Sequence, residues 1–314
     1  MTLVTASAAS ATAASATAAP APAVAQRRRL ARYGLLAWIL VSLILLLCSL
    51  NPQSAAAEST LRLHGALHRE GPVGIISHRG AAALAPENTL SAMRVAIDQG
   101  VDFIETDVQL TADGVPILMH DFTLDRTTSG SGRVADHTLE QIKRLDAGGW
   151  FAPAYTWEPV PTLVEFVDLL GGAPTRALVE LKGVWAPEQI ASVVDLLRER
   201  QLVHRVALQS FDVHTLRMLQ EVGPEFARVL LTREWDEPTV RLAGELQVSA
   251  VGARAKLYDE RPELLDRLRA VGIGSLVYTL NSEKRWRAAV ERGVDLVVTD
   301  DPVSLAEWRG PAPV

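Results

Sequence analysis

From Val73 onward, short β-branched runs alternate with amphipathic runs of helical spacing, and this rhythm restricts the fold more than any other feature of the chain. Nine runs have strand character: 74–77, 103–110, 115–120, 177–182, 206–210, 227–232, 249–254, 275–280 and 295–299. Helical patterns fill most gaps. In Pro187 to Arg200, Ile190, Val193, Val194 and Leu197 form one stripe; in Pro262 to Val271, Leu264, Leu265 and Leu268 do the same. Strand alternating with helix means a parallel sheet, and about 240 residues of it fit a (β/α)8 TIM barrel. A doubly wound sheet is the alternative, but no Gly-rich nucleotide loop follows the first strand.

Nine strands are one too many for that barrel. Thr111-Ala112-Asp113-Gly114 is too short for a parallel crossover, which needs about a dozen residues, whereas Asp-Gly suits a two-residue hairpin turn. The run 115–120 is therefore expected to return antiparallel beside 103–110, a β-hairpin after the second strand. With Asp113 and Gly114 as the two central residues, Asp107 faces His120. The interval 122–176 breaks the rhythm, holds Gly130, Gly132, Gly148 and Gly149, and reads as a small insertion at the barrel mouth.

The N-terminal part is an address. Residues 1–26 are almost wholly Ala, Ser, Thr, Pro and Val, which suits a disordered leader. Arg27, Arg28, Arg29 and Arg32 precede an uncharged run, 34–50, and then Ser54-Ala55-Ala56-Ala57. That order describes a signal peptide, and the run is also near the lower limit for a signal anchor. Either way the arginines stay inside and the rest is expected to be exported, with membrane contact through 34–50 if the signal is uncleaved. The expected organisation is thus 1–57 leader and signal, 58–72 linker and 73–314 barrel. Without those four arginines, 27 basic residues remain of 31, against 37 acidic ones, about −10 in all. An acidic domain argues against nucleic acid as a partner. The single cysteine, Cys48, allows no intrachain disulfide.

In such barrels the chemistry sits at the carboxyl ends of the strands. The first strand runs into His78-Arg79-Gly80, giving a group that exchanges protons near neutral pH and a planar fork for phosphate oxygens. Glu105 and Asp107, two apart, share one face of the next strand. Pointing inward, two carboxylates would need a cation, and all-oxygen ligands suggest Mg2+ or Ca2+; pointing to the rim, they would need none. Glu180 and Lys182 repeat the spacing, as a third ligand and a phosphate contact or as a structural ion pair. Lys182 is one of only four lysines. Gln209 and the segment Tyr278 to Asn281 end later strands and could line a small-molecule pocket. His64, His68, His137, His204 and His214 fall on no strand end and are expected on the surface or in loops.

Taken in order, these residues resemble the glycerophosphodiester phosphodiesterase family. The signature runs through His78-Arg79-Gly80, Pro86-Glu87-Asn88-Thr89, Glu105-Thr106-Asp107-Val108-Gln109, His120-Asp121 and Leu124-Asp125-Arg126-Thr127-Thr128. It continues in Leu145-Asp146-Ala147-Gly148, Pro161-Thr162-Leu163, Glu180-Leu181-Lys182 and Thr299-Asp300-Asp301-Pro302, covering about residues 73–305. The resemblance implies a phosphatidylinositol-phospholipase-C-like barrel, one divalent cation on Glu105, Asp107 and Glu180, and His78 and His120 as base and acid. It implies Arg79 and Lys182 on the phosphate, and hydrolysis of a glycerophosphodiester to sn-glycerol 3-phosphate and an alcohol such as choline. Tyr278 stands where the family usually has Trp. A lysophospholipase-D-type activity and a catalytically silent binding protein are the alternatives.

Overall fold

The β-branched runs pair as the rhythm predicts. The computed structural model describes residues 67–68 and 71–310. The expected leader and signal or anchor in 1–57, the run 34–50, His64 and most of the 58–72 linker lie outside the described residues. Among the described residues, no helix is long and apolar enough to cross a membrane.

The strands are β1 (Gly74–Ser77), β2 (Phe103–Leu110), β3 (Pro116–Leu118), β4 (Arg176–Leu181), β5 (Val206–Ser210), β6 (Ala227–Leu231), β7 (Ala250–Arg254), β8 (Gly274–Tyr278) and β9 (Leu296–Thr299). All but β3 are parallel, and the β1–β2 and β1–β9 pairings close them into an eight-stranded barrel. The helices are α1 (Leu90–Asp98), α2 (Leu139–Ile142), α3 (Leu163–Gly171), α4 (Pro187–Glu199), α5 (Val213–Val222), α6 (Glu237–Glu245), α7 (Ala255–Glu260), α8 (Glu263–Ala270), α9 (Glu283–Glu291) and α10 (Pro302–Arg309).

Period-2 alternation sorts the strand residues into two layers. The outward set, including Ile75, Ile104, Val179, Leu208 and Val297, is buried under the helices. The stripe read from α4 does this packing: Ile190, Val193, Val194 and Leu197 are all buried. The inward set of Ile76, Phe103, Leu178, Ala207, Val229, Leu276 and Val298 fills the barrel interior together with Leu67. Side chains thus plug the lower barrel, leaving the carboxyl ends of the strands for polar groups.

The hairpin exists, but its register differs from the expectation by one residue. Leu118 pairs with Val108, and Thr111 N–H donates to the Val115 carbonyl at 3.1 Å. The turn therefore holds three residues rather than two, with Gly114 at φ +76° supplying the left-handed position. As a result Met119, not His120, lies across from Asp107, and its N–H donates to the Asp107 carbonyl at 3.0 Å. Ile117 of β3 and the segment after it form a small core of their own, with Met119, Leu124, Val134, Ile142, Ala147 and Val160. Helix α3 lies within the expected insertion 122–176, yet its Leu163, Phe166, Val167 and Leu170 join the main core.

Candidate active site

The loop from β1 to α1 is shaped by three left-handed residues, Arg79 (φ +52°), Gly80 (φ +81°) and Asn88 (φ +55°). At Gly80 a Cβ would lie 2.7 Å from the backbone of Ala92, so only glycine lets α1 pack this close. Thr89 caps α1, its hydroxyl accepting from the Ala92 N–H at 3.2 Å. This packing brings Glu87 and Asn88 beside the end of β2.

Glu105, Asp107, Glu180 and Gln209 follow from β2 to β5 on the inward face, with Asp107 paired to Glu180 and Glu180 to Gln209 in register. All four are buried. One oxygen from each of Glu105, Asp107 and Glu180 lies within 4.8 Å of the others. The inward alternative from the sequence is therefore the one the fold adopts.

Each carboxylate is held differently. Asp107 accepts from Asn88 Nδ2 at 2.9 Å and lies 3.2 Å from Lys182 Nζ and 3.4 Å from Arg79 Nε. Burial alone would raise it, but Lys182 and Arg79 outweigh that and hold it well below the usual carboxylate range. Glu105 accepts from the Arg79 N–H at 2.9 Å and from Gln209 Nε2 at 3.3 Å. Burial, then the charges of Asp107 and Glu180, push it well up. Glu180, 3.1 Å from Lys182 Nζ, is pushed up to about 7 by burial and by Asp107. Two carboxyls driven toward protonation beside a third that stays ionised form a site that a divalent cation would stabilise. The donors fit a hard oxygen-seeking ion.

His78 and His120 flank the trio. His78 Nδ1 is 2.5 Å from Asp300 Oδ1, and His120 Nδ1 is 2.7 Å from Asp121 Oδ1. A carboxylate at Nδ1 favours the Nδ1–H tautomer and leaves Nε2 for proton transfer. Burial lowers His120, Arg79 and Lys182 lower it further, and Asp107 and Asp121 act against them. Behind the histidines, Arg126 donates to Asp121 at 2.6 Å and to both Glu87 oxygens, and Glu87 accepts from Arg79 at 2.7 Å.

His78, Arg79, Glu105, Asp107, His120, Glu180, Lys182, Gln209 and Tyr278 all line one cavity of about 940 Å³. Asn281 does not line it. Its side chain accepts from the Asp300 N–H at 2.9 Å and donates to the Asp300 carboxylate, so it acts on His78 through Asp300. His120 reaches the cavity from the segment beyond β3, not by the cross-strand pairing expected. His68, His137, His204 and His214 stay outside it. Glu87, Asn88, Asp121, Asn281 and Asp300 support the site through contacts that sequence spacing does not announce. Arg233 and Arg254 also line the cavity, and no motif points to them.

The chain is similar to known proteins over most of its length. The sequence model of the glycerophosphoryl diester phosphodiesterase family matches residues 78–304. A glycerophosphodiester phosphodiesterase of Caldanaerobacter subterraneus subsp. tengcongensis is 34% identical over 233 residues, covering 74% of this chain and 95% of that protein. One from Bacillus subtilis is 32% identical and covers 85% of this chain and 95% of that protein. Among solved structures, a glycerophosphodiester phosphodiesterase from Agrobacterium tumefaciens superposes with TM-score 0.65 at 33% identity, covering 73% of this chain and 97% of that one. An Oleispira antarctica phosphodiesterase, solved with the product sn-glycerol-3-phosphate, superposes with TM-score 0.70 at 29% identity over 76% of this chain and 96% of that one.

Proposed function

Because the chain belongs to the glycerophosphoryl diester phosphodiesterase family, we propose that it hydrolyses glycerophosphodiesters to sn-glycerol 3-phosphate and an alcohol, using His78 and His120 as its acid–base pair. The observation that carries this reading is the meeting of two carboxylate-held imidazoles with three buried carboxylates, Arg79 and Lys182 in one cavity.

Glu105, Asp107 and Glu180 would hold one divalent cation, Mg2+ or Ca2+. When bound, it supplies Lewis-acid neutralisation of the phosphate oxygens. Arg79 and Lys182 bind the same anion: each already sits against Asp107 and stays charged, since the nearby carboxylates outweigh the effect of burial. A phosphodiester entering here exchanges those ion pairs for charge-assisted bonds to its own oxygens. With Asp300 on Nδ1, His78 presents a free Nε2 lone pair that can take the nucleophile's proton. Protonated His120 presents Nε2–H, which can pass a proton to the departing alcohol. Gln209 acts by holding Glu105, and Tyr278 lines the cavity with its hydroxyl on the Thr232 carbonyl.

A second reading, hydrolysis of lysophospholipids, draws support from apolar groups in the cavity lining: Phe122, an exposed side chain, lines it along with Phe211 and Leu231. From residues 27–57 alone we infer an exported barrel, secreted or anchored.

The test is release of sn-glycerol 3-phosphate from glycerophosphocholine with EDTA, then with Mg2+ or Ca2+ restored, beside lysophosphatidylcholine. Metal-restored turnover that His78→Ala and His120→Ala each abolish, in folded protein, is expected. Wild-type rates in either variant would refute the two-histidine assignment, and turnover of the lysolipid alone would favour the second reading.

A further inference from the structure

The cavity has two electrically different sides. On the β2–β4 side, Arg79 and Lys182 are matched by the buried carboxylates. On the other side the lining is Arg233 and Arg254 after β6 and at the end of β7, with Lys256 on α7, Arg285 on α9 and Arg292 at its end, and Asp259 the acid among them. Arg292 pairs with Asp259 at 2.9 Å, and Lys256 lies 3.7 Å from Glu260. Arg233, Arg254 and Arg285 have no carboxylate partner among the described residues. Of the exposed arginines elsewhere, Arg198, Arg200 and Arg267 have one, while Arg94 and Arg133 have none among the described residues. In a domain of net negative charge, a patch of unneutralised cations around one wall of a cavity suits an anionic occupant.

The aromatic groups on that wall point the same way. Phe211 and Tyr278 meet edge to face at 6.1 Å, an arrangement that could in principle cradle a quaternary ammonium. Here the Arg233 guanidinium already sits over the Phe211 ring, 4.1 Å from its centre. The Tyr278 hydroxyl is committed to the Thr232 carbonyl at 3.1 Å, and Arg254 is the β7 partner of Tyr278 in register. A cationic amine would therefore find the Phe211 face taken and the Arg254 guanidinium near Tyr278.

Resting on the hydrolase reading above, we propose that the β6–β8 wall is a specificity subsite for an acidic group on the alcohol half of the diester, with Arg233 and Arg254 as its principal contacts. The favoured substrates are then glycerophosphodiesters whose alcohol is itself phosphorylated, and choline or ethanolamine esters are the poorer ones. The diester phosphate lies on the carboxylate side with Arg79 and Lys182, and the second anion meets the arginines across the mouth.

The test compares kcat/KM for glycerophosphoinositol 4-phosphate, glycerophosphoglycerol and glycerophosphocholine, as anionic, neutral and cationic probes, using the metal-loaded full chain. The anionic probe should lead. The double variant Arg233→Ala, Arg254→Ala should shrink its lead over glycerophosphocholine by about tenfold, chiefly through KM, as two exposed charge contacts would give. Arg233→Lys, Arg254→Lys should keep most of the preference, because the charge carries it, and added salt should erode it. Equal or better use of glycerophosphocholine by the wild type would overturn the proposal, as would an unchanged ratio in the alanine variant. If that variant keeps its ratio but loses co-flotation with phosphatidylglycerol vesicles, the arginines serve a lipid surface and the subsite falls. If no probe is turned over, the hydrolase reading fails on its own, and calorimetry decides the subsite. Tighter binding of the anionic probe, weakened in the alanine variant, sustains it; equal binding of all three removes it.

Discussion

Asn88→Ala should be among the most damaging single changes near the site, and the structure gives the size of the effect. Asn88 is 4% exposed and makes three contacts. Its Nδ2 donates to Asp107 Oδ2 at 2.9 Å, and its Oδ1 accepts from the Thr106 hydroxyl at 2.8 Å and the Asp107 N–H at 3.3 Å. Losing the charge-assisted bond costs about 1.5–3 kcal/mol, and each buried donor left without an acceptor costs about 1 kcal/mol or more. Alanine at φ +55° adds about 1 kcal/mol that asparagine, tolerant of this region, largely avoids. Since neighbouring terms do not simply add, the expected loss is about 3–6 kcal/mol, a large part of a typical domain's stability. For a domain of this size that is a fall in Tm of about 6–24 °C. Equilibrium urea unfolding followed by circular dichroism measures it. Asn88→Gly separates the two causes: it loses the same hydrogen bonds but relieves the backbone, so it should be about 1 kcal/mol more stable than Asn88→Ala. Asn88→Ala within about 1 kcal/mol of wild type would refute the hydrogen-bond argument. A glycine variant no more stable than the alanine one would refute the backbone argument.

Asp121→Asn should move the basic limb of the kcat–pH profile. Held down to about 2 chiefly by the Arg126 hydrogen bond, Asp121 is anionic at working pH and acts to raise His120. If protonated His120 is the acid, activity falls as pH rises through its pKa, which burial already sets below the ordinary histidine value. Removing the anion lowers that pKa further, so the limb should shift to lower pH; a limb that stays or moves up would count against His120 as the acid. Gly80→Ala and Gly100→Ala form a second pair. Both residues have positive φ, but only at Gly80 would the new Cβ strike backbone, 2.7 Å from Ala92, while nothing lies within 4 Å at Gly100. Thermal unfolding should show Gly100→Ala costing about 1 kcal/mol and Gly80→Ala well beyond that, about 3 kcal/mol or more. Equal costs would mean that α1 simply moves aside.

Much of this molecule is legible from spacing alone. Strand and helix periods follow from local geometry, so the parallel barrel and the extra antiparallel strand can be read without tertiary information. The two-residue spacings Glu105/Asp107 and Glu180/Lys182 put each pair on one face, because strand side chains alternate whatever their neighbours. Which face that was, the sequence left open; barrel closure turned it inward, and neighbouring strands then brought Asp107 level with Glu180. The hairpin shows how fine the limit is. Asp113-Gly114 announces a turn, but whether it holds two residues or three depends on where the left-handed position falls, and one residue shifts every cross-strand partner.

What remained illegible has a common physical cause: it depends on residues far apart in the chain that only closure makes neighbours. Asp300 reaches His78 across 222 positions because β9 lies beside β1, and Asn281 enters the site through Asp300 rather than by facing the cavity. Arg233, two residues past β6, and Arg254, the last residue of β7, read as ordinary surface arginines in sequence, and become one wall of a cavity once β6, β7 and β8 stand side by side. The sequence by itself determined the periods, the turns and the kinds of chemical group available, since these follow from bonds and short-range sterics. Tertiary structure alone decided which groups share a cavity, which carboxyls lose their water and shift, and which charges are left without partners, since these follow from distances that the chain order does not contain.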